Sequence, residues 1–214
     1  MPPATAPPAP PSAGSVALRR YRPSDRAAVR RLHDLALNSV GAHGGSGTWD
    51  EDLDRIPEVY LEDRGEFLVG TFGGRLVAMG AIRRGDRDTA RLTRMRVHPD
   101  LWRLGIGRRL VRRLEARARR LGYSRLVLDT AERQTAAIAL YRAEGYVETG
   151  RGEVAGLAAV FFEKRLAPAG LRNLAPSPRS ASPRAPNADP RAAAEDRAEP
   201  SASAEGGPQS PARR

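Results

Sequence analysis

Hydrophobic positions in the middle of the chain follow the pattern of paired strands. Residues 66–72 and 75–84 read EFLVGTF and RLVAMGAIRR, two apolar runs of strand length separated by Gly73 and Gly74. A glycine pair between two such runs is typical of a two-residue β-hairpin turn. A third run, TARLTRMRVHP at 89–99, follows a second turn that contains glycine. The pattern therefore predicts a meander of three antiparallel strands.

Helical periodicity lies on both sides of this meander. After a short strand in SVALRRY, residues 23–38 carry an apolar stripe that predicts a first helix. Its members are Ala28, Val29, Leu32, Leu35 and Ala36. Residues 48–63 predict a second helix, kinked or interrupted near Pro57 because proline cannot donate to the helical ladder. A longer helix follows the meander and ends at Gly122, with arginines on its polar faces. Its apolar positions are Ile106, Leu110, Leu114, Ala118 and Leu121.

The last third of the sequence alternates again between the two periods. SRLVLDT at 124–130 predicts a buried strand, and QTAAIALYRAE at 134–144 a short helix that Gly145 ends. YVETG and AAVFFEKRL predict two final strands. The predicted order is β-α-α-β-β-β-α-β-α-β-β. A meander followed by a strand–helix–strand crossover predicts an α/β fold with a mixed, mostly antiparallel central sheet and flanking helices.

Both ends of the 214-residue chain differ in composition from this core. Residues 1–14 are rich in proline and alanine. Residues 167–214 are rich in proline, alanine, serine and arginine and carry few large apolar side chains. Such segments bury too little surface to offset the entropy of ordering. We therefore predict a disordered leader over 1–14, one folded domain over 15–166 and a disordered tail over 167–214.

Composition excludes several classes of site. The chain has no cysteine, so it has neither disulfides nor thiolate metal ligands. Its three histidines lack ligand-like spacing, so we expect no metal. No apolar run reaches the roughly 18 to 20 residues that cross a bilayer, and the first residues lack the basic start and apolar middle of a signal peptide. A soluble cytoplasmic protein without a membrane partner is the expectation.

The net charge of +11 comes almost wholly from arginine, since Lys164 is the only lysine. A positive field attracts polyanions such as nucleic acid, an anionic membrane or a multiply phosphorylated cofactor. A genome-wide preference for arginine is an equally good explanation of the excess. Aromatic residues make up only 5% of the chain and do not interleave with the arginines as a base-stacking surface would. A basic nucleic-acid-binding module is therefore the less favoured alternative.

The segment HPDLWRLGIGRRL at 98–110 leads from the third meander strand into the long helix. Backbone amides in the first turn of a helix have no internal partner and carry the positive end of the helix dipole. Gly105 and Gly107 let an anion approach them, and Arg103 and Arg108 add fixed charge. The loop predicts a phosphate or pyrophosphate site. It lacks the Gly-Lys-Ser/Thr of a P-loop and does not follow the first strand as a dinucleotide loop does.

This loop and the segment AIALYRAEGY, about thirty residues later, together resemble the GCN5-related N-acetyltransferase (GNAT) superfamily. The resemblance covers about residues 16–166, including the element order. It implies the acyl-CoA N-acyltransferase fold, with acetyl-CoA in a V-shaped opening between the strands before and after the long helix. Trp102 departs from the family's Gln or Arg. The implied cofactor-binding residues are the strand backbone of Met95, Arg96 and Val97, the loop amides of Arg103, Leu104, Gly105, Ile106, Gly107 and Arg108, and the amide side chain of Gln134.

The resemblance also implies the chemistry. Tyr141 corresponds to the family's tyrosine that protonates the departing thiolate as general acid, and a backbone amide at Val97 or a neighbour polarises the thioester carbonyl. The expected function is transfer of an acetyl group from acetyl-CoA to a primary amine of a small molecule or peptide, by direct attack in a ternary complex. A non-catalytic acyl-CoA sensor of the same fold is the alternative. Monomer and homodimer both stay open.

The general base and the acceptor are less determined. The strand before the loop lacks the glutamate that many members carry, so a water-mediated base or none remains open. The candidate bases are His98, Asp129, Glu51, Asp52, Asp54 and Glu58. Trp49 and Tyr60 lie among the carboxylates of residues 48–63, a combination suited to a cationic or aromatic amine. A solvated acidic helix face is the competing explanation for that segment.

Overall fold

A computed structural model describes residues 12–41 and 48–167, and the structural statements below concern these residues. The helices are α1 (Arg26–Asn38), α2 (Ile106–Arg120) and α3 (Thr135–Ala143). The strands are β1 (Ala17–Arg20), β2 (Glu66–Phe72), β3 (Arg75–Arg84), β4 (Thr89–Val97), β5 (Arg125–Ala131), β6 (Val147–Val154) and β7 (Leu157–Arg165). In this part of the chain they form one seven-stranded sheet of order β1-β2-β3-β4-β5-β7-β6. All neighbours are antiparallel except β4 and β5, so the predicted mixed, mostly antiparallel sheet is confirmed.

The predicted element order is confirmed, with one change in the second helix. The segment forms a 3₁₀ turn at Thr48–Leu53 and a π turn at Pro57–Leu61 rather than one helix. Pro57 begins the π turn, where its missing N–H leaves no bond unmade, and its carbonyl accepts from Glu62 N at 3.0 Å. The predicted interruption near Pro57 is therefore confirmed. The predicted disorder of residues 1–14 and 167–214 falls, apart from residues 12–14 and 167, outside the described residues.

The hairpin between β2 and β3 has the geometry that its glycine pair predicts. Gly73 and Gly74 have φ values of +54° and +76°. Both values lie in the left-handed region, as a turn whose twist matches that of the strands requires. Phe72 pairs directly with Arg75 across this turn. The glycine pair thus sets the register of the two strands.

The sheet is covered on both faces. Leu68, Ile82 and Leu92 pack in one buried cluster with α2, whose Leu110 and Leu114 are fully buried. The opposite face packs against α1 and the two turns that follow it; its buried members include Val29, Leu32, Tyr60, Phe67, Val69 and Met79. Because successive strand residues point to opposite faces, β2 and β3 contribute to both clusters.

Strands β4 and β5 part shortly after they begin. Their parallel pairing covers only Thr89–Arg91 against Arg125–Val127. Beyond that point β4 continues along β3 to Val97, and β5 continues along β7 to Ala131. The two central strands therefore diverge and leave an opening in the middle of the sheet, at the place that the resemblance implies.

Candidate functional site

A bulge in β4 marks the edge of the opening. Met79 pairs with Arg96 and Ala81 with Thr93, so two residues of β4, Arg94 and Met95, stand against the single residue Gly80 of β3. Arg94 has a φ of +55°. A β-carbon at Gly80 would lie 2.5 Å from Met95 Sδ, so the Met95 side chain packs directly over this glycine. The regular backbone ladder between β3 and β4 is interrupted next to the opening.

The loop before α2 presents a run of free backbone donors. Arg103 and Gly105 adopt positive φ values of +64° and +78°, and α2 begins at Ile106. The first amide after the loop with a backbone partner is that of Arg109, which donates to Gly105 O at 3.1 Å. Within the described residues, the six amides from 103 to 108 donate no hydrogen bond. With the helix dipole behind them, they form a cradle for an anion.

The two arginines expected to add charge to this cradle differ. Arg108 Nε lies 2.8 Å from Glu144 Oε1, and Arg112 binds the same carboxylate. Burial works to raise the pKa of Glu144, but the Arg112 hydrogen bond and the two positive charges outweigh it and lower the pKa. Arg108 therefore already has a carboxylate partner, which it shares with Arg112. Arg103 is exposed and forms no ion pair in the described part of the chain.

A close packing contact joins the loop to α3. A β-carbon at Gly107 would lie 3.2 Å from Leu140 Cδ2 and 4.0 Å from Val97 Cγ2. The start of α2, the end of β4 and the middle of α3 therefore meet at Gly107. The next residue along α3 is Tyr141. The fold thus brings together the two motifs that lie thirty residues apart in the sequence.

Tyr141 is held rigidly with its proton unengaged. Its side chain is 5% exposed, and its ring packs edge-on against Tyr146 at 5.6 Å between centroids. Among the described residues, none accepts or donates a hydrogen bond at its hydroxyl. Burial raises the pKa of Tyr141 to about 12, against the opposing positive charge of Arg96. The phenol is therefore protonated at neutral pH and available as a donor.

Gln134 and Trp102 occupy the two ends of the site. Gln134 precedes the first residue of α3, and its side-chain oxygen accepts from Thr130 Oγ1 at 2.7 Å, which leaves its NH₂ group to donate. Trp102 Nε1 donates to Val97 O at 2.8 Å. The tryptophan thus ties the loop to the end of β4. Nothing in the sequence indicated this role.

A cluster of charged groups lies beside the bulge of β4. The Arg94 guanidinium contacts Asp50 Oδ1 at 2.6 Å and Asp52 Oδ2 at 2.9 Å, and Asp52 also accepts from the Tyr60 hydroxyl. The side chains of Arg94 and both aspartates are only 12% to 14% exposed. These contacts fasten the 3₁₀ turn to β4. Sequence analysis missed Arg94 because the partners lie more than forty residues away.

Removing the cation of this cluster should lower the free energy of unfolding more than removing one partner of an exposed ion pair. Arg94→Met leaves two buried carboxylates without their cation, and we expect it to lower the free energy of unfolding by about 3 kcal/mol. Arg84→Met is the matched control, since its pair with Asp63 spans 3.4 Å and both side chains are more than half exposed. Its cost should be below about 1 kcal/mol. Urea unfolding measures both, and equal losses would contradict the structural role assigned to Arg94.

Most candidate bases are already engaged. Asp52 binds Arg94, and Asp54 accepts from Arg26 at 3.0 Å and from Arg30. Asp129 accepts from Arg91 at 2.5 Å across the start of the opening. His98 Nδ1 accepts weakly, at 3.4 Å, from Asp100 N, and so caps the turn at Pro99–Leu101. Glu51 and Glu58 are exposed.

Tyr60 is not part of an acceptor surface. It is 1% exposed and packs edge-on against Phe67 at 5.3 Å. Burial, reinforced by Asp52, raises its pKa. Of the two interpretations of residues 48–63, the one in which Tyr60 receives an aromatic or cationic amine is therefore wrong, because the residue belongs to the core on the α1 face. The side chain of Trp49 lies outside the described residues.

His33 replaces a predicted apolar residue in the core. The stripe predicted for α1 included Leu35, but Leu35 is 41% exposed whereas His33 is fully buried. His33 Nε2 lies 3.2 Å from Asp50 Oδ1. Burial, assisted by Arg96 and Arg94 and opposed by Asp50, lowers the pKa of His33 to about 4. A neutral imidazole is therefore part of the folded protein near neutral pH.

His33 should make stability depend on pH. Its folded pKa of about 4 lies below the unfolded value of about 6.5, so between these values the unfolded chain binds a proton that the folded chain does not. Stability should fall by about 1.4 kcal/mol per pH unit as the pH decreases through this window. In His33→Gln this part of the slope should vanish. Urea unfolding from pH 7 to pH 4.5 measures it, and an unchanged slope would contradict the assignment.

The described residues contain no group of three or more His, Cys, Asp or Glu side chains placed to hold a metal ion. None of the described helices is both long and apolar enough to cross a membrane.

Comparisons with known proteins bear on this site. The model of the family described as "Acetyltransferase (GNAT) family" matches residues 29–146. An "IAA acetyltransferase" from Azospirillum brasilense is 40% identical over 137 residues, which cover 64% of this chain and 87% of that protein. "N-acetyltransferase 8" from Homo sapiens is 35% identical over 106 residues, and the chain spans about half its length, 47%.

Solved structures share the fold. A putative acetyltransferase from Salmonella typhimurium, solved with its cofactor acetyl-CoA, superposes with a TM-score of 0.61 and 24% identity. The superposition covers 75% of this chain and 99% of the other. This likeness confirms the predicted fold class.

Proposed function

Because the chain belongs to the acetyltransferase (GNAT) family and is an acetyl-CoA-dependent N-acetyltransferase, we propose that it acetylates a primary amine of a small molecule or peptide by direct attack in a ternary complex. One observation carries the proposal. The run of free amides before α2 and the unengaged phenol of Tyr141 meet through the contact of Gly107 with Leu140, beside the opening between β4 and β5. The acetyl-CoA in the Salmonella structure supports it.

The residues present fit acetyl-CoA. The amides of residues 103–108 would bind its pyrophosphate, since they are donors without partners at the positive end of a helix. The backbone of residues 95–97 would bind the pantetheine arm along the free side of β4, where no strand pairs with it. The free NH₂ group of Gln134 would contact the same arm from the β5 side. When bound, acetyl-CoA supplies an activated acetyl thioester.

Tyr141 would act as the general acid. As the amine nitrogen bonds to the acyl carbon and the carbon–sulfur bond breaks, the phenolic O–H donates its proton to the departing sulfur. Burial keeps this proton on Tyr141 until negative charge develops, and the positive charge of Arg96 stabilises the phenolate that results. The backbone amide of Val97 or a neighbour would polarise the carbonyl. The phenol then regains a proton from solvent.

The amine would lose its proton without a dedicated side-chain base. Asp52, Asp54 and Asp129 are each bound to arginine, and His98 caps a turn. The other two candidates, Glu51 and Glu58, are exposed to solvent, so a proton on the attacking nitrogen would pass to water. The rate of acetylation should then rise with pH toward the pKa of the acceptor itself.

Two alternatives lose support. A polyanion-binding face on α2 would use Arg108, Arg112 and Arg117, and these three are bound to Glu144 or Glu66. A non-catalytic acyl-CoA sensor does not require a buried, protonated phenol at the opening. Location in the cytoplasm stays a prediction, and monomer and homodimer both stay open.

Thiol release from acetyl-CoA, measured against polyamines, amino acids, arylalkylamines and peptides, tests the proposal. Calorimetric titration with acetyl-CoA runs in parallel. Binding together with amine-dependent thiol release is the expected result. Binding without release against every amine would point to the sensor, and the absence of binding at micromolar protein would overturn both.

A further inference from the structure

Arg96 is a half-buried cation without an acid in contact. Its Nη1 donates to Met95 O at 2.8 Å, while its Nε is buried and makes no hydrogen bond. Within residues 12–41 and 48–167, no carboxylate oxygen lies within 4.0 Å of its guanidinium. Its neighbour on the strand, Arg94, binds two aspartates. A guanidinium normally enters a protein interior only with its hydrogen-bond partners.

The acids near Arg96 are already used. Oδ1 of Asp50 is shared by Arg94 at 2.6 Å and His33 at 3.2 Å. Asp52 is held by Arg94 and by the Tyr60 hydroxyl. One purely structural role is left for Arg96. Arg94 and the two aspartates carry a net charge of −1, and the positive charge of Arg96 would balance it from a distance. That role offers the guanidinium no hydrogen-bond acceptor.

The surroundings of Arg96 lower the pKa of its guanidinium. Burial, followed by the like charge of Arg94, lowers its pKa to about 10, so it remains a cation at neutral pH. A ligand carboxylate would supply a negative charge in direct contact with the guanidinium and two acceptors in the planar geometry that a guanidinium prefers.

The position of Arg96 decides which ligand this is. Arg96 lies on β4 beyond Arg91, where β4 has parted from β5, and its charge acts on Tyr141. The phosphates of acetyl-CoA are accounted for by the free amides of residues 103–108, at the start of α2. An anion at Arg96 would instead lie beside the phenol that protonates the leaving group. That is where the acceptor amine must approach.

We propose, on the basis of the function proposed above, that the acceptor is a small amine that carries a carboxylate, such as a free amino acid, and that Arg96 binds this carboxylate. The bond formed is the amide at the amino group, and the carboxylate is unchanged. Arg96 thereby selects the substrate and orients its nitrogen toward the acyl carbon. Amines without an acid group should be poor acceptors.

Matched acceptors test the proposal. Phenylalanine, tyrosine, histidine and tryptophan are compared with their decarboxylated amines: phenethylamine, tyramine, histamine and tryptamine. The remaining amino acids complete the panel. At least one amino acid should exceed its amine in kcat/KM by about 10- to 100-fold, as expected for charge-assisted hydrogen bonds. Arg96→Gln should abolish this preference: kcat/KM should fall further for the amino acid than for its amine, since the Tyr141 phenolate loses the same positive charge with both acceptors.

The control variant is Arg83→Gln, which removes an exposed arginine of β3 and should keep the preference. Thermal unfolding gives a second readout. The preferred amino acid should raise the Tm of the native protein but not that of Arg96→Gln. The variant alone should have an unchanged or higher Tm, since a half-buried charge without a contacting acid has been removed. A structural charge-matching role would instead lower it.

The outcomes separate the two proposals. If acetyl-CoA binds and amines react as well as amino acids throughout, the carboxylate assignment is overturned and the acetyltransferase proposal stands. If Arg96→Gln lowers kcat/KM equally for amino acids and for amines, Arg96 acts only on the step that both acceptors share, and the carboxylate assignment is again wrong. If acetyl-CoA does not bind, the proposed function fails first.

Discussion

Tyr141→Phe should lower kcat for acetyl transfer by about 10²- to 10³-fold, the usual contribution of a general acid. The substitution deletes one oxygen and keeps the ring that packs against Tyr146 and Phe162. The Kd for acetyl-CoA and the thermal stability should therefore stay nearly constant. Steady-state kinetics with a reactive amine and calorimetry with acetyl-CoA measure the two effects separately.

Tyr146→Phe is the matched control. Tyr146 is 3% exposed and stacks edge-on with Tyr141, but it follows α3 and its ring lies under the Lys164 ammonium rather than at the opening. The kcat of Tyr146→Phe should stay within about threefold of the native value, since no proton transfer depends on the Tyr146 hydroxyl. An equal loss in both variants would indicate that packing of the two rings, not proton donation, limits turnover.

Gly105→Glu should weaken acetyl-CoA binding by at least about 100-fold, because like charges in contact cost several kcal/mol. The new carboxylate would compete for the amides that precede α2 and repel the pyrophosphate. A side chain at φ +78° adds about 1 to 2 kcal/mol of backbone strain. Calorimetric titration with acetyl-CoA measures the loss of binding, and thermal unfolding measures the strain.

Gly74→Glu separates strain from charge repulsion. Gly74 has a φ of +76°, close to that of Gly105, and a β-carbon there meets nothing within 4 Å. The same residue type is therefore introduced into nearly the same backbone conformation, in the hairpin between β2 and β3. This variant should lose similar stability but bind acetyl-CoA normally. Weakened binding in both would show that strain alone disturbs the site.

Local pattern was sufficient wherever the signal spans one element. The glycine pair at 73 and 74 predicted the hairpin, and Pro57 predicted the break in the second helix. The loop at 103–108 was predicted as an anion site because first-turn amides are free in any helix. Tyr141 could be named only through the family resemblance, since a buried tyrosine on a short helix is otherwise ordinary core.

Prediction failed where the environment comes from distant parts of the chain. Tyr60 was considered either for an acceptor surface or for a solvated acidic helix face, yet it is buried against Phe67 and bound to Asp52. His33 went unnoticed because an isolated histidine on an amphipathic helix has no distinctive local pattern. Only packing shows that it is buried beside Asp50.

By itself the sequence determined the element order, the turns, the loop that can hold an anion and, through its two motifs, the family. These depend on periodicity, proline and glycine geometry, which act over a few residues. Tertiary structure decided that β7 inserts between β5 and β6, that β4 leaves β5 after three pairs, and that Gly107 meets Leu140. It also decided which arginines are neutralised: Arg94 by two aspartates more than forty residues away, and Arg96 by none in contact. Ion pairing and burial depend on distance in space, which the order of residues along the chain does not specify.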